Sequence, residues 1–443
     1  TRRSGLEHLM NAAFSFVSST ALLSLFLSWP LSADEPLSLN TLYQTLHAAP
    51  ELSFEEAETA ARLAGELSAV GFEVTTGIGG HGLVGVLANG QGPTVLVRTD
   101  LDALPVTEDT GLAFASRVQT KNEAGQTVGV MHACGHDVHM TVFVGTARAL
   151  ASDRDSWSGT LVMIGQPAEE RGAGARAMLD DGLFQRFPRP DYNLALHVSA
   201  ELAAGTVGIR SGAVAANVDS VDIAVLGQGG HGAYPHKTHD PVLLAASIVM
   251  NLQTLVSRTL NPIDPGVVTV GSIHGGTKHN IIPDQVDLQL TVRSFSDESR
   301  QTLLQGIERI AVGQARALGW PDERLPRVVL KEEYTPSVWN DPALAERLQA
   351  LFAARLGAEK VFSLPPTMGG EDFARYGRDE PRIPSSLFWL GAVDPVAHAA
   401  AAAGGPRLPS LHSSKFKPDA GAAVETGVSA MTSAVRMLLP AAD

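Results

Sequence analysis

The order of apolar runs constrains this chain more than any other feature. Strand-like and helical segments alternate at first, give way to a different order from about Val218, and then resume. Leu39 to Gly71 carries apolar residues at helical spacing (Leu42 and Leu46; then Ala60, Leu63, Leu67 and Val70), which predicts two helices. Thr94–Arg98, Thr160–Ile164 and Tyr192–Leu196 read as buried strands, with a helical pattern over Asp137–Leu150 between the first two. Strands alternating with helices predict an α/β domain, a largely parallel sheet flanked by helices. From Val218 the reading is a strand (Val218–Leu226), a helix (Pro241–Arg258), two strands (Val267–Ile273 and Val286–Arg293) flanking a Gly-rich turn, a helix (Ser296–Leu318) and a short strand (Arg327–Leu330). This is the β-α-β-β-α-β order of ferredoxin-like units. The α/β pattern then returns, with a helix over Pro342–Leu356, a strand over Ser386–Leu390 and a helix from about Ala420. A chain that leaves one pattern and returns to it carries an inserted domain. The expected divisions are 34–213 and 332–443 for the two parts of the α/β domain and 214–331 for the insert. The run His398–Gly405 (HAAAAAGG) reads as a low-complexity mobile loop.

Composition narrows the function classes. With 443 residues the chain exceeds what one compact core usually holds, and 44% hydrophobic against 18% charged residues is a globular balance. Lys plus Arg number 33 and Asp plus Glu 47, a formal charge of −14, with no long basic run. That balance argues against nucleic acid or anionic membrane as partners. The 43 Gly and 26 Pro follow no fixed period, which excludes collagen-like and simple repeat architectures. The single cysteine, Cys134, excludes an intrachain disulfide framework.

Residues 1–33 read as a signal peptide. Arg2 and Arg3 precede an apolar stretch from Ala12 to Leu31, followed by small and acidic residues, Ser32 to Glu35. An uncleaved anchor or a core helix is the alternative, but Ser, Thr and Pro30 make the stretch a weak spanning helix. The mature protein is expected to start near Asp34 and to be exported, periplasmic or secreted, without stable membrane insertion. Leu31 sits where a small residue is preferred, and initiation at Met10 would leave both arginines outside the signal. No cysteine follows the stretch to take a lipid anchor, and no later apolar run is long enough to span a bilayer.

The densest chemistry lies in Met131–His139 (MHACGHDVH), where the lone cysteine sits among three histidines just before a helix, with Asp137 as the expected N-cap. Thiolate and imidazole suit Zn²⁺ or Mn²⁺-type ions. The plainer reading is a buried cysteine beside ordinary histidines. Three further places strengthen the metal reading. The strand Thr160–Gly165 leads into Gln166–Glu170 (QPAEE), two adjacent carboxylates at a strand's carboxyl end, where α/β folds place their sites. Alternating side-chain direction lets one carboxylate hold metal while the other faces a substrate water. Tyr192–Leu196 ends in His197, and His412 stands in LHSSKF. Asp100 and Asp102 of RTDLDALP follow another strand and are placed to orient ligating histidines, or to cap backbone amides.

Taken in order, RTDLDALP, MHACGHDVH, QPAEE, the Leu196–His197 strand end, GGHGAYPH, HNIIPD, MGGEDF and LHSSKF resemble the metal-dependent amidohydrolase and carboxypeptidase family that includes hippurate hydrolase, auxin–amino-acid conjugate hydrolases, aminoacylase and carboxypeptidase G. The resemblance runs from about Leu39 onward; MHACGHD with QPAEE points to the subgroup with a bridging cysteine. It implies that Cys134 bridges two divalent ions (Zn, Mn, Co or Ni), with His136 and His197 completing one site and Glu170 and His412 the other. It further implies that Glu169 is the general base and that the insert is a dimerisation or lid domain. In a homodimer, His231 of GGHGAYPH would steady the developing oxyanion in the partner's site. Asn280 and Arg293 match positions that hold a substrate carboxylate. Two departures stand out: Ser414 replaces an expected proline, and Arg117–Val128 is longer than usual, which bears on the rim of the pocket.

The implied reaction is hydrolysis of a small-molecule N-acyl or N-aminoacyl amino acid, dipeptides included, by metal-activated water. A cysteine hydrolase using Cys134 as nucleophile would leave Glu169, Glu170, His197 and His412 without a task. A non-catalytic metal- or peptide-binding protein would not need Glu169. Export would suit scavenging or detoxification better than biosynthesis, which ranks N-acetyl-diaminopimelate deacetylation low.

Overall fold

A computed structural model describes residues 37–121 and 125–441. The expected signal peptide, residues 1–33, lies outside the described residues.

The first half opens with helices α1 (Leu39–Ala48) and α2 (Ala57–Ala69) and strands β1 (Glu73–Ile78), β2 (Gly82–Asn89) and β3 (Thr94–Asp100). Helix α3 (His136–Ala151), β4 (Gly159–Gln166), β5 (Tyr192–Ala203) and the short β6 (Val207–Gly208) follow. Between Asn217 and Thr335 run β7 (Asn217–Leu226), α4 (Pro241–Thr254), β8 (Gly266–His274), β9 (Gln285–Ser294), α5 (Asp297–Ala317) and β10 (Arg327–Thr335). The chain finishes with α6 (Pro342–Leu356), β11 (Val361–Phe362), β12 (Ser385–Val393), α7 (Pro395–Ala402) and α8 (Ala420–Leu438).

The large sheet has eight strands in the order β1-β2-β4-β3-β5-β12-β6-β11. Its centre is parallel: β4 with β3, β3 with β5, and β5 with β12. Central strands of a parallel sheet are covered on both faces, so they read as unbroken apolar runs. From Val95 to Asp100 every residue of β3 is buried, and β4 is buried from Leu161 to Gln166. One face carries α1, α2, α3, α6 and α8, with Leu42, Leu63, Phe143, Phe352 and Met431 in its core. The other face packs Met178, Phe373 and Tyr376 against Ile164 and Ala195.

The second sheet is antiparallel, in the order β8-β9-β7-β10. Helices α4 and α5 cover one face, burying Leu244, Ile248, Leu303 and Ile307 against Ile223 and Leu288. The expected ferredoxin-like order is therefore present. Its strands alternate cleanly: in β9, Val286, Leu288, Leu290 and Val292 are buried while the residues between them are exposed or intermediate.

Four local readings need correction. His398–Gly405 is largely helical, because Asp394 caps the first turn of α7, Pro395 occupies its first position, and the alanines that follow are strong helix formers. β5 does not stop at Leu196; it runs on to Ala203, paired with β12 well beyond the point where β3 leaves it. β10 continues past Leu330 to Thr335 against β7. Gly135, not Asp137, is the N-cap of α3; Asp137 lies inside the first turn and pairs with His47.

Candidate metal centre

β3 and β4 run parallel in register and end together, Asp100 opposite Gln166. The loops leaving these two strands emerge on the same edge of the sheet, and α3 begins there too. Gly135 joins Cys134 to His136 at φ 81°, where a Cβ would lie 2.6 Å from Val198 Cγ2. Only glycine meets both demands, and the turn lets the thiol and the imidazole face one point. Ala168 (φ 47°) and His412 (φ 64°) also hold left-handed backbone. Ala168 donates its N–H to the Glu56 carboxylate (2.8 Å), and His412 donates its own to the Ala133 carbonyl (2.9 Å). Such strain persists where surrounding structure enforces it, and here both residues lie beside the ligand atoms.

Hydrogen bonds set the histidine tautomers. His136 Nδ1 donates to the Asp102 backbone carbonyl at 2.8 Å, leaving Nε2 as the lone-pair atom. His197 Nδ1 donates to the Val198 carbonyl at 2.8 Å, and its Nε2 lies 3.4 Å from Cys134 Sγ. His139, by contrast, is spent: its Nε2 accepts the Val198 N–H, and its Nδ1 donates to Asp100, each at 2.8 Å. His197 lies within β5 rather than at its end, but β3 has already left that flank, which opens the ring toward the site.

Among the described residues five groups of three side chains could hold an ion, and two of them contain Cys134. Cys134, His136 and His197 offer ligand atoms that all lie within 4.8 Å of one another, and so do Cys134, Glu170 and His412. Cys134 belongs to both. Glu170 Oε1 is 3.5 Å from His412 Nε2 and 3.9 Å from His136 Nε2. Among the described residues, buried His136 Nε2 and Glu170 Oε1 have no hydrogen-bond partner. Orphaned imidazole and carboxylate atoms of this kind, beside a thiol, fit divalent cations. Glu169 stands beside the first set, its carboxylate 4.0 Å from His136 Nε2.

The electrostatics agree. Burial, then the charges of Glu170, Glu169 and Asp100, push the Cys134 thiol well above its usual range. Burial, then Glu371 and Glu170, raise Glu169, and burial raises Glu170 to about 7. Burial opposes the charged form of His136, but Asp100 and Asp102 carry it up to about 10, so without a cation Nε2 holds a proton, and its lone pair is free only when a cation takes the proton's place. So many crowded acids need compensating positive charge, which bound cations supply.

The donors open on a cavity of about 390 Å³ lined by Cys134, Glu169, Glu170, His197, His412 and, from β9, Arg293. Arg293 lies on the face of the second sheet that its helices leave open, next to Val218, its register partner. Its guanidinium donates to the Met368 carbonyl at 2.8 Å. His231 and Asn280 are not brought to this cavity. They sit on an exposed ribbon, Gly230–His231 against Ile281–Ile282, where the Gly232 N–H donates to the Asn280 carbonyl. No described residue of 117–128 lines the cavity; Gln119–Lys121 and Thr127–Gly129 pair as a small ribbon.

Sequence reasoning passed over a buried ionic network behind Glu169. Arg98, on β3, contacts Asp100 (2.7 Å), Glu371 (2.9 Å) and Asp372 (3.3 Å), and Gln166 bridges Arg98 and Asp372. The available signal was an arginine in a strand buried on both faces, which demands acidic partners; MGGEDF supplies them.

Comparison with known proteins accords with this geometry. A model of peptidase family M20/M25/M40 matches residues 96–403. The N-acetylcysteine deacetylase of Bacillus subtilis (strain 168) is 35% identical over 359 residues, 80% of this chain and 88% of that protein. The N-acetyldiaminopimelate deacetylase of Limosilactobacillus fermentum is 35% identical over 393 residues, 88% of this chain and 94% of that protein. The crystal structure of a Bacillus subtilis dinuclear metal binding peptidase from the M20 family superposes with a TM-score of 0.73 at 30% identity, covering 90% of this chain and 97% of that one. With its cysteine, histidine and glutamate donors gathered at one sheet edge and a family match across most of its length, the chain belongs to peptidase family M20/M25/M40 and is a hydrolase acting on amide bonds.

Proposed function

We propose that the protein hydrolyses the amide bond of N-acyl or N-aminoacyl amino acids, releasing the free amino acid, with two divalent ions and Glu169 as general base. The observation that carries this reading is the pair of donor sets sharing Cys134, with Glu169 adjacent but outside both. His136 and His197 would hold one ion, Glu170 and His412 the other, with Cys134 common to both. When bound, the ions supply Lewis-acid polarisation of the amide carbonyl and acidify water.

The protein's own groups do the rest. Glu169 takes the proton of the attacking water and returns it to the departing amine nitrogen. Burial, with Glu371, Glu170 and Asp372 nearby, favours its protonated form, and the buried Arg98 guanidinium works the other way. Arg293 pairs with the free carboxylate of the substrate through charge-assisted hydrogen bonds. As a homodimer, the protein would bring His231 and Asn280 from the exposed ribbon of one protomer to the cavity of the other, where His231 donates to the developing oxyanion.

A cysteine-nucleophile mechanism would leave Glu169, Glu170 and His412, which line the same cavity as Cys134, without a task.

Chelation followed by separate reconstitution with Zn, Mn, Co and Ni, assayed over N-acyl amino acids and dipeptides, tests the reading. Activity should vanish on chelation and return with metal; full turnover by metal-free protein overturns it. The dimer is tested by mixing a Glu169→Gln chain with a His231→Ala chain and verifying heterodimers independently. Restored activity supports action in trans; verified heterodimers without activity refute it. Amino-terminal sequencing of protein exported by its native host tests cleavage near Asp34.

A further inference from the structure

A groove of about 850 Å³ adjoins the metal-site cavity. Thr367, Trp389 and Leu411 line both spaces, so the two are neighbours across these side chains. Beyond them the walls are Leu364 and Met368 on one side and Ala401 and Leu408 on the other. The second wall belongs to α7 and the loop after it, the same segment that delivers His412. The groove therefore lies next to the reacting centre, and its apolar side chains, joined by Pro365, Pro366 and Pro409, outnumber the polar ones, Ser199 and Ser410 among them.

An amide substrate has two ends. The carboxylate end needs a cation, and Arg293 lines the cavity but not the groove. The groove's charged groups are Arg407 and Glu201, of opposite sign. Arg407 is exposed and shares the groove with Glu201, whereas Arg293 is half-buried beside the metal donors, so the carboxylate end is assigned to Arg293 and the other end to the groove. An acetyl group would leave nearly all of this space unfilled, since the groove is more than twice the 390 Å³ of the cavity itself.

We propose that this groove is the acyl subsite and that the substrates are amino acids carrying a linear aliphatic acyl chain much longer than acetyl. The inference rests on the amidohydrolase reading above and names the substrate class for that site. Each methylene taken out of water favours binding about fourfold. Selectivity for the chain should therefore grow until the groove is full.

The test is kcat/KM of metal-loaded wild-type enzyme on one amino acid bearing acetyl, butanoyl, hexanoyl, octanoyl or decanoyl groups, with succinyl as a charged control. A rise of about two- to fourfold per methylene before a plateau is expected, with succinyl no better than butanoyl. The free acids should inhibit in the same order. Ala401→Trp, which fills the groove, should cut decanoyl turnover at least about tenfold while leaving acetyl turnover nearly unchanged, and should shorten the preferred chain. Hydrolysis of acetyl substrate with a flat or falling chain-length profile overturns the proposal and leaves the amidohydrolase reading standing. So does an Ala401→Trp effect that follows the amino-acid side chain instead. If that variant fails to fold, the wild-type profile and the inhibition series decide. No hydrolysis of any N-acyl amino acid by metal-loaded enzyme overturns both readings together.

Discussion

The two sheets solve the problem of burial in opposite ways. The large sheet is covered on both faces and yet holds Arg98, Asp100, Asp102, His136 and Asp372 almost wholly out of solvent. The small sheet buries one face in a core of Val, Leu, Ile and Ala residues and leaves the other open. Charges inside the first are tolerable only because each meets a partner of opposite sign, a hydrogen bond or a cation. The second needs no such arrangement and contributes Arg293 from its open face. One region is built to hold ions at a cost in stability; the other is built to be stable and to present a surface.

That contrast can be broken or sharpened by experiment, beginning with the largest expected effect. Glu169→Gln should lower kcat by about 10²–10⁴-fold, the range of a general base, with metal content unchanged by elemental analysis. Glu170→Gln should instead lose metal, so the neighbours separate by metal stoichiometry; equal metal loss in both would contradict the division of roles. Leu288→Ala removes a fully buried side chain from the small sheet's core and should cost about 2–5 kcal/mol in denaturant unfolding. Its metal affinity should remain that of wild type, and a matching drop in affinity would show that the two regions are not independent. Arg293→Ala should reduce kcat/KM by about ten- to a hundredfold for substrates with a free carboxylate. The same variant should do little to the corresponding amino-acid amides, which carry no charge for it to meet.

The smallest effect concerns stability against pH. Buried His47 bridges Asp137 (2.6 Å) and Glu108 (3.0 Å). Burial works against its charged form, but Asp137 and then Glu108 outweigh it, raising the imidazole to about 9 from an ordinary 6.5. A raised value means that the folded state holds the proton more tightly. The stabilisation is therefore complete below about pH 6.5 and lost as pH rises toward 9. Thermal melts should show a falling Tm across that window, and His47→Gln should flatten the fall. An unchanged slope in the variant would show that His47 is not its source.

Much of this was legible in the chain. Periodicity marks the helix over Pro342–Leu356 at the observed bounds, because an amphipathic helix and its caps are local. The switch to β-α-β-β-α-β is likewise readable, since each strand of the small sheet alternates against one covered face. Local patterns failed where a neighbour decides. β5 extends past His197 because β12 continues beside it, and no residue in β5 announces that. The alanine run misread as a loop is helical because Asp394 and Pro395 start it; that signal was present and was outweighed by low complexity.

The sequence by itself determined the residue types, the strand–helix order and the glycine between Cys134 and His136, because these depend on covalent geometry and on spacings of a few residues. Tertiary structure decided which histidines are free. His139 and His197 are equally good ligands on paper, yet the Val198 N–H and Asp100 use both nitrogens of His139, while His197 keeps Nε2 for the site. It also decided that segments more than two hundred residues apart, Cys134 and His412, share a donor set. Side-chain hydrogen bonds across packed elements set these outcomes, and such bonds exist only once the sheet has assembled.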